Sequence, residues 1–237
     1  MAFADSLSDF FLPSDCLLCS KPGNMALCNA CIKALPDPGT CRCEQCGLRL
    51  EAATDENSVR ICGQCLSDPP AFDHSLIATD YAPPLDMLAH DLKFRARLPL
   101  ARAFGQLLVD AAGATLSQAD VLIPVPLATE RLALRGFNQA LEIARPVAAA
   151  WNMPLLADIC IRIRNTGAQA ELPLSQRRVN MRGAFAVRDR KVIENRHVLV
   201  VDDVMTTGHT LRELAACLKR RGAMRVSNLV LARTPLR

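Results

Sequence analysis

The chain has 237 residues, half of them apolar and 22% charged. That is enough to bury a sizeable core in one large domain, or in a small and a medium one. No apolar stretch reaches the roughly 18 residues of a membrane span. The N-terminus also lacks a basic region followed by an apolar core of signal-peptide length, so a cytoplasmic protein without membrane contact is expected. The formal charge of +4 averages two unlike parts: residues 1–75 carry 5 Lys and Arg against 10 Asp and Glu, and residues 76–237 carry 23 against 14. A basic second part invites anionic partners: a phosphorylated substrate, nucleic acid or the acidic part itself.

Residues 1–14 read as a lead-in whose Phe3, Phe10, Phe11 and Leu12 are available for packing. Of eleven cysteines, nine lie between Cys16 and Cys65, and only Cys160 and Cys217 lie beyond. Eight of the nine form Cys-x-x-Cys pairs: Cys16/Cys19, Cys28/Cys31, Cys43/Cys46 and Cys62/Cys65. In a reducing compartment such pairs hold metal more often than they form disulfides. Each pair supplies two corners of a tetrahedral zinc site, so eight thiols predict two structural zincs with closed four-sulfur shells. The sequential arrangement puts Cys16, Cys19, Cys28 and Cys31 on one Zn²⁺ and Cys43, Cys46, Cys62 and Cys65 on the other. A crossed arrangement, first pair with third, remains open, as does replacement of Cys43 by Cys41. Asp68, Pro69 and Pro70 form a linker that divides a zinc domain, 1–70, from a second domain, 71–237.

Beyond the linker, residues 75–81 read as a strand and 84–94 as a helix with Leu85, Leu88 and Leu92 on one face. A mostly apolar helix is expected over 98–116 and a buried strand over 121–123. A helix follows over 137–151, with Pro146 as a kink site. Residues 159–163, 184–187, 197–202 and 226–232 read as strands. Residues 175–182 form a short basic helix, and 211–221 an amphipathic helix closed by Lys219, Arg220, Arg221 and Gly222. Strands alternating with helices imply an α/β fold: a parallel sheet with helices on both faces, behind a small Cys-rich domain.

Three stretches carry chemistry. The apolar run from Val198 to Val201 has no alternation, as in a strand buried on both faces. It ends in Asp202 and Asp203, and then Val204, Met205, Thr206, Thr207, Gly208, His209 and Thr210 lead into a helix. A Gly/Thr turn at a helix start presents N–H groups and hydroxyls to an anion. Two carboxylates beside it suit hydroxyl donors or a metal. Phosphate, diol and metal in one small space point to a sugar phosphate. In the second stretch, Ile123-Pro124-Val125-Pro126-Leu127 is followed by Arg131, Arg135, Gly136, Phe137, Asn138 and Gln139. Arginines match phosphate oxygens bidentately, and at the carboxyl end of a parallel sheet such groups converge on the ligand crevice. The third stretch, Arg162, Arg164, Asn165, Thr166, Gln169, Arg177, Arg178 and Asn180, reads as a closing loop with basic flanks.

The acid pair with T-T-G-x-T resembles the phosphoribosyl pyrophosphate (PRPP) signature of type I phosphoribosyltransferases. That resemblance implies Asp202 and Asp203 on the ribose 2′- and 3′-hydroxyls and Thr206, Thr207, Gly208 and Thr210 around the 5′-phosphate, with Val204 and His209 among the PRPP-binding residues. It also implies Mg²⁺ bound with PRPP, Arg131 and Arg135 near the pyrophosphate, and Arg164, Thr166 and Gln169 in the closing loop. A small residue is common where His209 stands, and this histidine has two readings, phosphate contact or solvent. P-V-P-L, R-G-F-N-Q, R-N-T-x-x-Q, R-x-x-N and V-D-D-V-x-T-T-G-x-T, in this order behind a zinc ribbon, are similar to the ComF family, whose members include GntX-like proteins. That family is linked to DNA uptake in naturally competent bacteria, which implies single-stranded DNA and a DNA-uptake helicase as further partners. Two functions follow. One is transfer of a phosphoribosyl group to an unidentified acceptor, with catalysis by Asp202 and Asp203. The other is a non-catalytic single-stranded-DNA-binding protein that keeps the PRPP pocket as a sensor or relic. The second is poorly supplied with stacking aromatics, since Trp151 and Tyr81 are the only ones besides phenylalanine.

Overall fold

The structure is a computed structural model that describes residues 15–37, 39, 41–50, 60–163 and 183–235. The lead-in aromatics and the 175–182 helix lie outside them. Two one-turn helices, α1 (Asn29–Lys33) and α2 (Gly63–Ser67), each start directly after a cysteine and bury a second one, Cys31 and Cys65. Then follow β1 (His74–Asp80), α3 (Leu85–Arg95), α4 (Pro99–Ala112), β2 (Val121–Pro124), α5 (Thr129–Arg135) and α6 (Gln139–Trp151). The chain closes with β3 (Cys160–Arg162), β4 (Phe185–Val187), a 3-10 turn at Arg190–Val192, β5 (His197–Met205), α7 (His209–Arg220) and β6 (Arg225–Arg233).

Four strands form one parallel sheet in the order β1-β6-β5-β2. β5 is central, and Val198 to Val201 are all at most 1% exposed, as a strand covered on both faces requires. Val198 and Val200 meet Leu211, Leu214 and Leu218 of α7 on one face; Leu199 and Val201 meet α4 and α6 on the other. Each such leucine contributes about 1.5–3 kcal/mol by leaving water. Helices α4 and α6 approach closely at Gly105, where an added Cβ would stand 2.2 Å from Pro146 Cγ. α6 runs on through Pro146.

The two cysteine clusters pack on opposite faces of this sheet. Cys43, Cys46, Cys62 and Cys65 join the α7 side, whereas Cys16 and Cys31 join the side of α3 and α4. Between them the ribbon covers the outer edge of β1, where the Ser75 N–H donates to the Glu44 carbonyl at 3.0 Å. Arg42 and Arg49 pair with Asp80, and the Thr79 hydroxyl donates to the Pro36 carbonyl. An edge covered in this way cannot recruit another strand.

Three elements differ from expectation. α4 stops at Ala112, ahead of Gly113 at φ +51°. α5 appears where no helix is expected; it buries no residue, so it carries no apolar period to read. β3 and β4 form a separate antiparallel pair instead of joining the parallel sheet, and they pack beside Cys217 on the α7 face.

Candidate functional site

β5 returns through α7 to β6 on one side. β2 leaves through α5 and α6 to Leu155, which bridges β2 on its other side. The chain therefore diverges at the carboxyl ends of β5 and β2, which is where open parallel sheets open a crevice. A cleft of about 280 Å³ lies there, lined by Val125, Pro126 and Leu127, by the cations Lys93, Arg131, Arg135 and Arg162, and by Asp202 and Asp203, with Phe94, Gln139 and Thr210 completing it.

At its floor Asp202 and Asp203 are 8% and 5% exposed. Asp202 Oδ1 accepts from the Asp203 N–H at 2.9 Å, and Asp203 Oδ2 pairs with the Lys93 ammonium from α3. Burial, and then the neighbouring Asp203 charge, push the Asp202 carboxyl well above its ordinary range, while Lys93 opposes them. The pair places acidic oxygens where hydroxyls or a divalent cation could reach them, and Lys93 holds one of those on Asp203.

Next comes the turn. Gly208 takes φ +77° as the N-cap of α7, a left-handed conformation that favours glycine. It makes no side-chain cap, so the first N–H groups of α7 depend on a ligand or water. His209 is half-buried, with Nδ1 3.0 Å from the Thr207 hydroxyl. Beneath the turn, Arg233 donates from Nη1 to the Thr206 carbonyl at 2.6 Å.

The opposite wall is built by α5 and α6. Arg135 donates to Gln139 and lies 5.4 Å from the Phe94 ring centroid. Burial lowers the pKa of Arg135 and of Arg162; nearby Asp203 and Asp202, respectively, oppose that shift. Asn138 caps α6 by accepting from the Ala140 N–H at 3.1 Å, and its Nδ2 donates to the Val125 carbonyl at 3.0 Å. The asparagine of R-G-F-N-Q therefore ties the Pro124–Leu127 turn to the helix.

Of the expected site residues, Asp202, Asp203, Thr210, Arg131 and Arg135 line one cleft. Thr206, Thr207, Gly208 and His209 form the adjoining turn, and Val204 packs with the core on the α3 and α4 side. Arg164, Thr166 and Gln169 lie outside the described residues. Lys93 and Phe94 carry no motif, because Lys93 reads as an ordinary helix-end cation.

The cysteines gather sequentially. In each set, Cys16, Cys19, Cys28 and Cys31 or Cys43, Cys46, Cys62 and Cys65, the four Sγ atoms lie within 4.8 Å of one another, and Cys43 rather than Cys41 is the member. Tetrahedral thiolates on zinc stand about 3.8 Å apart, and the Cys19–Cys28 and Cys46–Cys62 sulfurs are 3.7 and 3.6 Å apart. Cys43 is pulled down to about 4 by a hydrogen bond from the Cys46 thiol and then by N–H groups of Cys46, Cys62 and Gln45, against its burial. Both sets fit Zn²⁺, which supplies a structural cross-link rather than an open catalytic position.

Residues 138–236 match the phosphoribosyl transferase domain family and residues 7–66 the double zinc ribbon domain family. The DNA utilization protein YhgH of Escherichia coli O157:H7 is 37% identical over 231 residues, covering 94% of this chain and 98% of that protein. Competence protein F of Haemophilus influenzae is 32% identical over 216 residues, covering 87% and 90%. A solved glutamine PRPP amidotransferase from B. subtilis aligns at 21% identity over 59% of this chain and 30% of that one, with a TM-score of 0.41. Among the described residues no helix is long and apolar enough to cross a membrane.

Proposed function

The chain belongs to the ComF family, with the YhgH and competence F proteins as relatives, and from that premise we propose that residues 71–237 bind PRPP with Mg²⁺ in the cleft between β2 and β5. One observation carries this reading: a buried acid pair, one member already paired with Lys93, stands beside an uncapped helix start in one cleft with Arg131, Arg135 and Arg162. Asp202 and Asp203 accept from the ribose 2′- and 3′-hydroxyls, and Lys93 yields Asp203 as the diol arrives. The Thr206–Thr210 turn and the first N–H groups of α7 hold the 5′-phosphate, with Val204 setting the strand end. Arg131 and Arg135 hold the pyrophosphate, and Arg162 adds a third guanidinium to the same cleft. Mg²⁺ supplies hard charge that neutralises the diphosphate and suits the oxygen donors of Asp202 and Asp203. In turnover an acceptor nitrogen bonds to the anomeric carbon as pyrophosphate leaves. The arginines stabilise the leaving charge, and the acid pair fixes the sugar.

Calorimetric titration of the full chain with PRPP tests this. The expected result is saturable binding that requires Mg²⁺ and is displaced by pyrophosphate or ribose 5-phosphate; absence of binding with Mg²⁺ refutes it. Release of pyrophosphate in a screen of nucleobases and amines then decides between turnover and a sensor.

A second reading rests on a different surface. Arg190, Lys191, Arg196, Arg221 and Arg225 are exposed around the 3-10 turn and the starts of β5 and β6, at the end of the sheet remote from the cleft. Such a patch suits the phosphates of single-stranded DNA. Binding there should fall steeply with salt and be lost on joint Arg196→Glu, Arg221→Glu and Arg225→Glu replacement. Equal binding by that variant would remove this reading.

A further inference from the structure

The last turn of α3 brings Lys93 to the floor of the cleft, where its ammonium pairs with Asp203 Oδ2. That oxygen is buried and accepts no hydrogen bond among the described residues. The ammonium thus covers it ionically, and a ligand reaches it only when Lys93 moves. Neither backbone is free to shift. Asp203 stands in the central strand β5, paired on both sides by β2 and β6. Leu85, Leu88 and Leu92 bury one face of α3, and Asp91 pairs with Arg95 and, past the helix end, with Arg97 at 3.2 and 3.3 Å. What can move is the Lys93 side chain, which is 22% exposed and carries a compact charge on a flexible four-carbon stem. Its chain neighbour Phe94 lies against Arg135, so Lys93 stands beside the arginine wall of the same cleft.

We propose that Lys93 is a two-position residue, on Asp203 in the empty cleft and on the diphosphate oxygens when PRPP is bound. The inference rests on the reading of this cleft as the PRPP site and adds a residue that sets its selectivity. The ribose hydroxyls take the place of the ammonium on Asp203, so the acid keeps its donors. The displaced ammonium has donors and no acceptor of its own, and the diphosphate beside Arg131 and Arg135 supplies charged acceptors. Ribose 5-phosphate displaces the same ammonium but offers no diphosphate to receive it. Lys93 therefore favours a sugar phosphate that carries a diphosphate over one that does not.

The test is calorimetric titration of the zinc-loaded full chain with PRPP and, separately, with ribose 5-phosphate, at one fixed Mg²⁺ concentration. In Lys93→Met, ribose 5-phosphate should bind about 3-fold or more tighter, because nothing has to be displaced. The ratio of PRPP to ribose 5-phosphate affinity should fall by about 10-fold or more, because the contact with the diphosphate is gone. The displacement step is common to both ligands and cancels in that ratio. Lys93→Gln, neutral but polar, should show the same two shifts, and Lys93→Arg should keep the ratio within about 3-fold of wild type. Retained zinc and a cooperative unfolding transition identify the folded variants. If wild type binds PRPP and both neutral variants leave the ratio unchanged, the ammonium does not move to the diphosphate, and the ligand assignment survives. If ribose 5-phosphate binds no tighter to either, Lys93 is a fixed strut and the exchange is wrong. If wild type binds no PRPP, the ligand assignment falls and the exchange falls with it.

Discussion

Gly47→Ala probes how the second cysteine set is fastened to the sheet. Gly47 sits in the knuckle after Cys46, at φ +67°. Its N–H donates to the Cys43 carbonyl at 2.7 Å, and its carbonyl accepts from Arg42 at 2.8 Å. A Cβ placed there would stand 2.3 Å from Ile77 Cγ1 and 2.8 Å from Ile77 Cδ1. Two separate costs follow. A non-glycine residue in the left-handed region costs roughly 1–2 kcal/mol, and overpacking against Ile77 costs roughly 1–3 kcal/mol, so the substitution should destabilise by about 2–5 kcal/mol. The assay is denaturant unfolding of the zinc-loaded chain, repeated for Ile77→Ala and for the double variant. Removing the Ile77 side chain relieves only the contact cost, so a favourable coupling of about 1–3 kcal/mol is expected, with the backbone cost left over. A loss under about 0.5 kcal/mol, within the usual range for surface changes, or an absence of coupling would refute the docking of this knuckle on β1.

Other expectations follow from single contacts. Gly105→Ala gains about 1 kcal/mol of helix propensity but meets the Pro146 ring and the Ile143 carbonyl; an overpacking cost of about 1–3 kcal/mol wins, and the unfolding midpoint should fall. Asn138→Ala removes both the α6 cap and the bond to Val125, so a loss of about 1–3 kcal/mol is expected in unfolding, together with weaker PRPP binding as the Pro124–Leu127 turn loosens. Asp202 has a folded pKa raised above its unfolded value, by burial first and Asp203 second. Its folded-state proton is held where the unfolded chain has released it, so its cost to stability grows as pH rises above the ordinary carboxylate range. Asp202→Asn should therefore stabilise more near pH 7 than near pH 4; an equal effect at both would contradict the burial argument.

What sequence made legible depended on whether a residue's partners lie near it in the chain. β5 was readable because a strand buried on both faces leaves an unbroken apolar run, and the acid pair and glycine turn follow it directly. Cys-x-x-Cys spacing marked the eight ligands, but choosing sequential over crossed pairing, and Cys43 over Cys41, needed the fold. α5 was invisible because none of its residues is buried. Lys93 reaches Asp203 only through the packing of α3 over the end of β5, so nothing local marks it. Arg233 was hidden for the same reason: the Thr206 carbonyl is brought to it by the pairing of β5 with β6. The β3–β4 pair looked like one more pair of parallel strands, because strand propensity does not say which sheet a strand joins.

The central claim is that Asp202, Asp203 and the turn after them hold a ribose phosphate. Calorimetric titration of wild type and of the Asp202→Asn, Asp203→Asn double variant with PRPP and Mg²⁺ tests it most directly. At about 1.5–3 kcal/mol for each hydrogen bond to a charged group, the double variant should bind at least about 100-fold more weakly while retaining its zinc. Equal affinity in both proteins would contradict the assignment.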